Sequence, residues 1–275
     1  MTNTLVQSAR QLRLSGLLCS LEVRLHEATT HQLPHAQFLE LVFQDELNVR
    51  GQRLIDKRRK TAHFRDAKTL EEFDWGFNPG IKRQLLYELA SANFIRQHRD
   101  VLLLGPPGVG KSHLAQALGY HAIKAGFLVL YRSIFDLIRE LQAEESPAQQ
   151  NRTLARYLKP DLLIIDDFGM KQLPAKSGEA LMEIVLRRHE NRSTVMTSNR
   201  PIEEWGRLLN DVPAATAILD RFLHRAEVIT ITGRSYRLRG KFSGDETKEP
   251  KTKLSPADST AGGASSGSPL APSSF

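Results

Sequence analysis

The chain has 275 residues, 40% of them apolar and 25% charged, with 18 Gly and 13 Pro. These proportions suit one or two globular domains and exclude collagen, coiled coil and a wholly disordered chain. The formal charge of +7 favours contact with a polyanion without naming one. The single cysteine, Cys19, cannot close an intramolecular disulfide. The longest aliphatic runs, such as 162–165, are too short to cross a bilayer. With no basic-then-apolar leader at the N-terminus, the expected location is cytoplasmic, away from the membrane.

In chain order, Leu14, Leu17, Leu18, Leu21 and Leu25 fall at the spacing that places them along one helix face. Pro34 suits the first turn of a second helix, along which Phe38, Leu41, Val42 and Val49 continue the helical period. An all-helical N-terminal domain is expected over residues 1–66. Within 48–68, eight basic residues face two acids, with Lys57, Arg58, Arg59 and Lys60 in succession. Such a run is either a solvated helix face or a surface that meets phosphates. An acidic and aromatic stretch follows, taken as a linker over 67–78.

From Pro79 the pattern changes to short aliphatic runs separated by helical segments. The runs 101–104, 127–131, 162–166, 193–197 and 227–231 predict buried strands, and their alternation with helices predicts an α/β fold with a parallel sheet over 79–240. The last 35 residues hold 23 Gly, Ser, Pro, Thr or Ala, too little apolar surface to offset the entropy of ordering, so a disordered tail is expected over 241–275.

Gly105, Pro106, Pro107, Gly108, Val109, Gly110, Lys111 and Ser112 follow the first of these strands and open a helix, which is the context a phosphate loop requires. The glycines let the backbone approach a β-phosphate, and the helix start offers free N–H groups. Lys111 can reach the β- and γ-phosphates, and the Ser112 hydroxyl is placed to ligate Mg²⁺. The run 162–165 ends in Asp166 and Asp167, delivering two carboxylates to the ligand-binding edge of the sheet. Asp166 is expected to hold the hydrated magnesium and Asp167 to orient or deprotonate the attacking water. Asp166 lies 55 positions after Lys111, room for an extra strand and helices, which fits ATPases with a strand between the two motif strands better than small nucleotide kinases. A further strand ends in Thr197-Ser198-Asn199, where Asn199 could stand beside the γ-phosphate or form an ordinary turn before Pro201. Arg221 is either an arginine finger for a neighbouring subunit's site or an intramolecular partner of Asp220. Arg237 is either a phosphate sensor or a solvated strand end.

Taken together these motifs resemble the IstB-type transposition helper ATPases, which are AAA+ proteins similar to DnaC-like helicase loaders. The resemblance is carried by Ala62-His63-Phe64, Lys68-Thr69-Leu70-Glu71, the loop extended through His113-Leu114-Ala115, residues 162–169, Thr197-Ser198-Asn199, Asp220-Arg221-Phe222-Leu223-His224 and Ser235-Tyr236-Arg237. It implies a bacterial ATPase that assembles as a homo-oligomer on duplex DNA, with ATP and Mg²⁺ between subunits, and that assists a partner transposase. By motif match it gives Lys111, Ser112 and His113 to the nucleotide, Asp166 to the metal, Asn199 to the sensor and Arg221 to the finger. Two residues depart from the family pattern, Ser112 for the usual Thr and Asp167 for the usual Glu. The first keeps the hydroxyl; the second shortens the reach of the acid. A loader of a replicative helicase and a metabolic P-loop kinase are the alternative readings.

Overall fold

A computed structural model describes residues 3–66, 68–143 and 146–239. The chain begins with three helices, α1 (Asn3–Gln11), α2 (Ser15–Thr30) and the long α3 (His35–Ala62). Pro34 stands one residue outside α3 as its N-cap, not within the first turn, because its ψ of 143° is extended. The first-turn N–H groups of α2 are met from outside that helix. Glu46 of α3 accepts hydrogen bonds from Gly16 (2.6 Å) and Leu17 (2.9 Å), and Arg50 pairs with its other oxygen at 2.6 Å. A carboxylate facing a helix start is favourable on both hydrogen-bond and dipole grounds.

Beyond α3 lie α4 (Arg83–Ala90), α5 (Asn93–Arg96), β1 (Asp100–Leu104), α6 (Lys111–Lys124), β2 (Val129–Ser133), α7 (Ile134–Gln142), α8 (Pro147–Leu158) and β3 (Leu162–Phe168). They are followed by α9 (Ser177–Arg188), β4 (Ser193–Ser198), α10 (Trp205–Leu209), α11 (Val212–His224) and β5 (Ala226–Thr230). All strand pairs are parallel, in the order β2-β3-β4-β1-β5. The predicted strands are all present. β2 begins two residues later than expected because Phe127 donates its N–H to Ala122 and so closes α6 after the left-handed Gly126.

Side chains alternate across the sheet as the two-residue period of a strand requires. Val101, Leu103, Leu162, Ile164 and Val195 join a core with Leu114 and Leu118 of α6, together with Ala62 and Leu70. Leu102, Leu163, Ile165 and Met196 join a second core with Leu137, Leu181, Trp205 and Ile218. The long basic helix α3 therefore ends inside the same packed body as the sheet. All these elements belong to one unit that reaches Leu238. The tail expected over 241–275 lies outside the described residues. Among the described residues no helix is long and apolar enough to cross a membrane.

Arg188 fastens the second core. It is 1% exposed, and its guanidinium donates to the carbonyls of Tyr157 (2.9 Å), Pro160 (2.9 Å) and Ser193, while Nε donates to Thr194 Oγ1 at 3.1 Å. Arg188→Ala strands these buried carbonyls, so we expect a loss of about 3 kcal/mol or more in urea unfolding. An unchanged midpoint would show that water replaces the guanidinium at no cost.

Candidate active site

The Gly105–Ser112 loop joins β1 to α6. Gly108 and Gly110 hold φ of +84° and +103°, where side chains are strained. Space is also lacking. A Cβ on Gly108 would come within 2.1 Å of Ser235 Oγ, and one on Gly110 within 2.6 Å of the Phe73 ring. α6 begins directly after Gly110, so its first N–H groups open onto the loop. Lys111 is 5% exposed, and its ammonium donates to the carbonyls of Gly105 and Pro106, both at 2.8 Å. Burial pulls its pKa down to about 8, against the pull of Asp166 and Asp167.

The acidic pair sits on an irregularity in β3. Ile165 is opposite Met196 and Phe168 opposite Ser198, so Asp166 and Asp167 together face only Thr197. Asp167 takes a left-handed φ of 65°, and its N–H donates to Thr197 Oγ1 at 3.1 Å. The extra residue sends the two carboxylates to different surroundings. Asp166 is fully buried and accepts hydrogen bonds from Ser112 Oγ (2.9 Å), Tyr131 Oη and Thr197 Oγ1. Asp167 faces the cleft and pairs with Arg65 Nη1 at 2.8 Å. Burial lifts the Asp167 pKa, the Asp166 charge lifts it further, and Arg65 opposes both.

A cleft of about 680 Å³ brings most of the expected residues together. Residues 107–113, Asp167, Asn199 and Arg237 line it, while Gly105 and Pro106 turn their carbonyls to Lys111. Val109 is buried, with its carbonyl accepting from Asn78 Nδ2 at 3.4 Å. His113 Nε2 is 2.7 Å from the Thr69 carbonyl, and its ring meets the Phe73 ring edge-on. The backbone N–H of Asn199 donates to Phe168 at 2.9 Å, fixing the strand end that carries the amide. Arg221 lies apart from the cleft walls, on the exposed side of α11, 3.7 Å from Asp220.

Residues beyond the motifs complete the site. Phe73, Phe77 and Asn78, from the stretch expected to be a linker, form one wall of the cleft. Phe77 meets Tyr236 edge-on at 5.1 Å, and the Tyr236 N–H donates to Gly108 at 2.9 Å. Three aromatics within five residues at 73–77 were the available signal for this wall. Tyr131 and Arg65 carried none, and Thr197 was visible only as a member of the Thr197-Ser198-Asn199 motif, since each acts through a contact distant in sequence.

The donor set suits a hard divalent cation. Ser112 and Asp166 offer oxygen only, side by side, next to a water-accessible cleft. Aromatic rings beside a glycine loop with helix N–H groups suit a nucleotide. Fold and site define a P-loop protein of the AAA+ type.

Within that class the chain belongs to the family described as IstB-like ATP binding protein, which matches residues 7–244. It is 38% identical over 231 residues to an ATP-binding protein of insertion sequence IS21 from Pseudomonas aeruginosa, covering 84% of this chain and 87% of the relative. An ATP-binding protein of insertion sequence IS5376 from Geobacillus stearothermophilus is 33% identical over 222 residues, with 81% and 88% covered. Among solved structures, DnaI aligns with a TM-score of 0.51 at 25% identity, over 60% of this chain and 92% of that one. AMPPCP-bound DnaA from Aquifex aeolicus also gives 0.51, at 22% identity over 62% and 51%, and shares the fold alone.

Proposed function

We propose that the protein hydrolyses ATP to ADP and phosphate and uses the nucleotide to assemble on duplex DNA in support of an insertion-sequence transposase. The observation that carries this reading is the Ser112–Asp166 contact at 2.9 Å, with Ser112 and Lys111 lining the same cleft as Phe73 and Phe77. The names of the relatives supply ATP as the ligand and the insertion sequence as the setting.

In this reading the loop N–H groups and Lys111 bind the β- and γ-phosphates, Lys111 leaving the carbonyls it otherwise meets. Ser112 and Asp166 would hold Mg²⁺, whose charge offsets that of the phosphate oxygens. Asp167 orients the attacking water and accepts its proton, while Asn199 hydrogen-bonds the water or the γ-phosphate. The exposed Arg221 reaches the site of a neighbouring copy, so that nucleotide sits between subunits of a homo-oligomer in the bacterial cytoplasm. A shorter acid at 167 than the family's usual Glu is compatible with slow turnover.

DNA contact is assigned to α3. Arg50, Arg53, Lys57 and Lys60 recur at i, i+3, i+7 and i+10, and all are exposed. Contacts of this kind position a protein on the duplex without reading much sequence. With a slowly hydrolysed ATP analogue, duplex affinity should fall with salt at a log–log slope of about −3.6 for four phosphates per subunit. Absence of duplex binding at low salt, nucleotide present, would overturn the DNA assignment.

A further inference from the structure

α3 reaches the acidic pair through a short segment at its end. After Ala62, His63 turns the chain with a left-handed φ of 59°. Phe64 then packs where α6 approaches the sheet, its ring so close to Gly119 that a Cβ there would lie 2.9 Å away. The same ring stands edge-on to Tyr131, the phenol that donates to Asp166. The Asp66 N–H donates to Gln116 Oε1 at 3.2 Å, and Gln116 donates in turn to the Ser112 carbonyl at 3.2 Å. Between these two anchors Arg65 lies over the Tyr131 ring, 5.8 Å from its centroid, and pairs with Asp167 Oδ2 at 2.8 Å. The acid expected to handle the water is thus tied to the segment that directly follows the helix carrying the basic stripe.

We infer that Arg65 is a positioning residue that restrains Asp167 until α3 is engaged, so that duplex binding on α3 releases the acid for hydrolysis. The inference rests on the ATPase reading above. A guanidinium on Oδ2 occupies a lone pair that would otherwise take the proton of the attacking water, and it holds the carboxylate toward the Tyr131 side. Arg65 is half exposed, so solvent screens the pair and it opens readily. Lys57 and Lys60 lie in the last two turns of α3, and Arg65 follows three residues after its end at Ala62. A shift of α3 toward a phosphate backbone is therefore passed to Arg65 through the three residues that follow Ala62.

The test uses the full chain with Arg65→Gln, Arg65→Lys and Asp167→Asn, following phosphate release with and without duplex and amide hydrogen exchange without nucleotide. Arg65→Gln should raise the duplex-free kcat about three-fold or more, with the ATP KM little changed and little further gain on adding duplex. Arg65→Lys, which keeps the charge but loses the fork, should fall between Gln and the natural residue. Exchange at residues 61–66 should quicken in both Arg65→Gln and Asp167→Asn. A lowered or unchanged duplex-free kcat in Arg65→Gln, or unaltered exchange in that segment, would overturn the restraint. Full turnover in Asp167→Asn, or none in the natural chain, would instead overturn the hydrolytic reading on which it stands.

Discussion

Lys111→Ala is expected to abolish measurable ATP binding and, with it, nucleotide-dependent assembly and phosphate release. The ammonium is the cation placed inside the loop, almost wholly removed from solvent and held by two loop carbonyls. In the proposed reading its removal would delete a charge-assisted contact to the phosphates in a site of low dielectric, where each such donor is worth roughly 10²–10³ in rate. It also removes one of the positive charges that act on the buried Asp166, leaving that of Arg65. Titration calorimetry with ATP and Mg²⁺ checks the first effect; retained affinity would reject the site. The natural chain carries a proton signature as well. Burial sets the lysine near pKa 8, well below the ordinary value for an ammonium, so above that pH the free site is increasingly neutral. Phosphate binding favours the charged form, so ATP uptake between about pH 8 and 10 should draw a proton from buffer, and Lys111→Ala should draw none.

Asp166→Asn should separate binding from chemistry. The side chain is fully buried and accepts from three hydroxyls, on Ser112, Tyr131 and Thr197. An amide of the same shape keeps one acceptor and can retain the fold, because hydroxyls rotate to suit it. What it cannot retain is the negative charge that, in the proposed reading, would hold a divalent cation against Ser112. We expect turnover to fall by roughly 10²–10³ and to lose its dependence on Mg²⁺ concentration, with ATP affinity in the absence of Mg²⁺ maintained. Phosphate release across a Mg²⁺ series, beside fluorescent-nucleotide binding, makes the measurement. Turnover that survives and still responds to Mg²⁺ would place the metal elsewhere.

The features that were legible from sequence are local ones. Gly105–Ser112 is identifiable because the residues that make the loop are contiguous and its strand and helix adjoin it. The strands were visible as aliphatic runs because a parallel sheet covered on both faces removes the polar alternation. What stayed hidden depends on pairing across the fold. Nothing in Asp166-Asp167 announces that β3 gains a residue against β4 there, yet that irregularity turns one acid inward and the other to the cleft. Phe73 and Phe77 read as spacer residues because only the tertiary fold returns them to the loop. Arg65 was counted among the charges of a basic run, and its contact with Asp167 spans 102 positions in sequence. The Arg221 alternatives separate within one chain only as far as the neighbouring Asp220, an exposed pair of small energetic weight.

The strand that carries the phosphate loop, β1, is flanked by β4 and β5, the last two strands of the sheet to be synthesised. Gly108 in addition takes its hydrogen bond from Tyr236, near the end of the described chain. During translation, therefore, the nascent polypeptide carries its nucleotide motif long before it can shape it. The loop gains this last bond only after some 236 residues have left the ribosome.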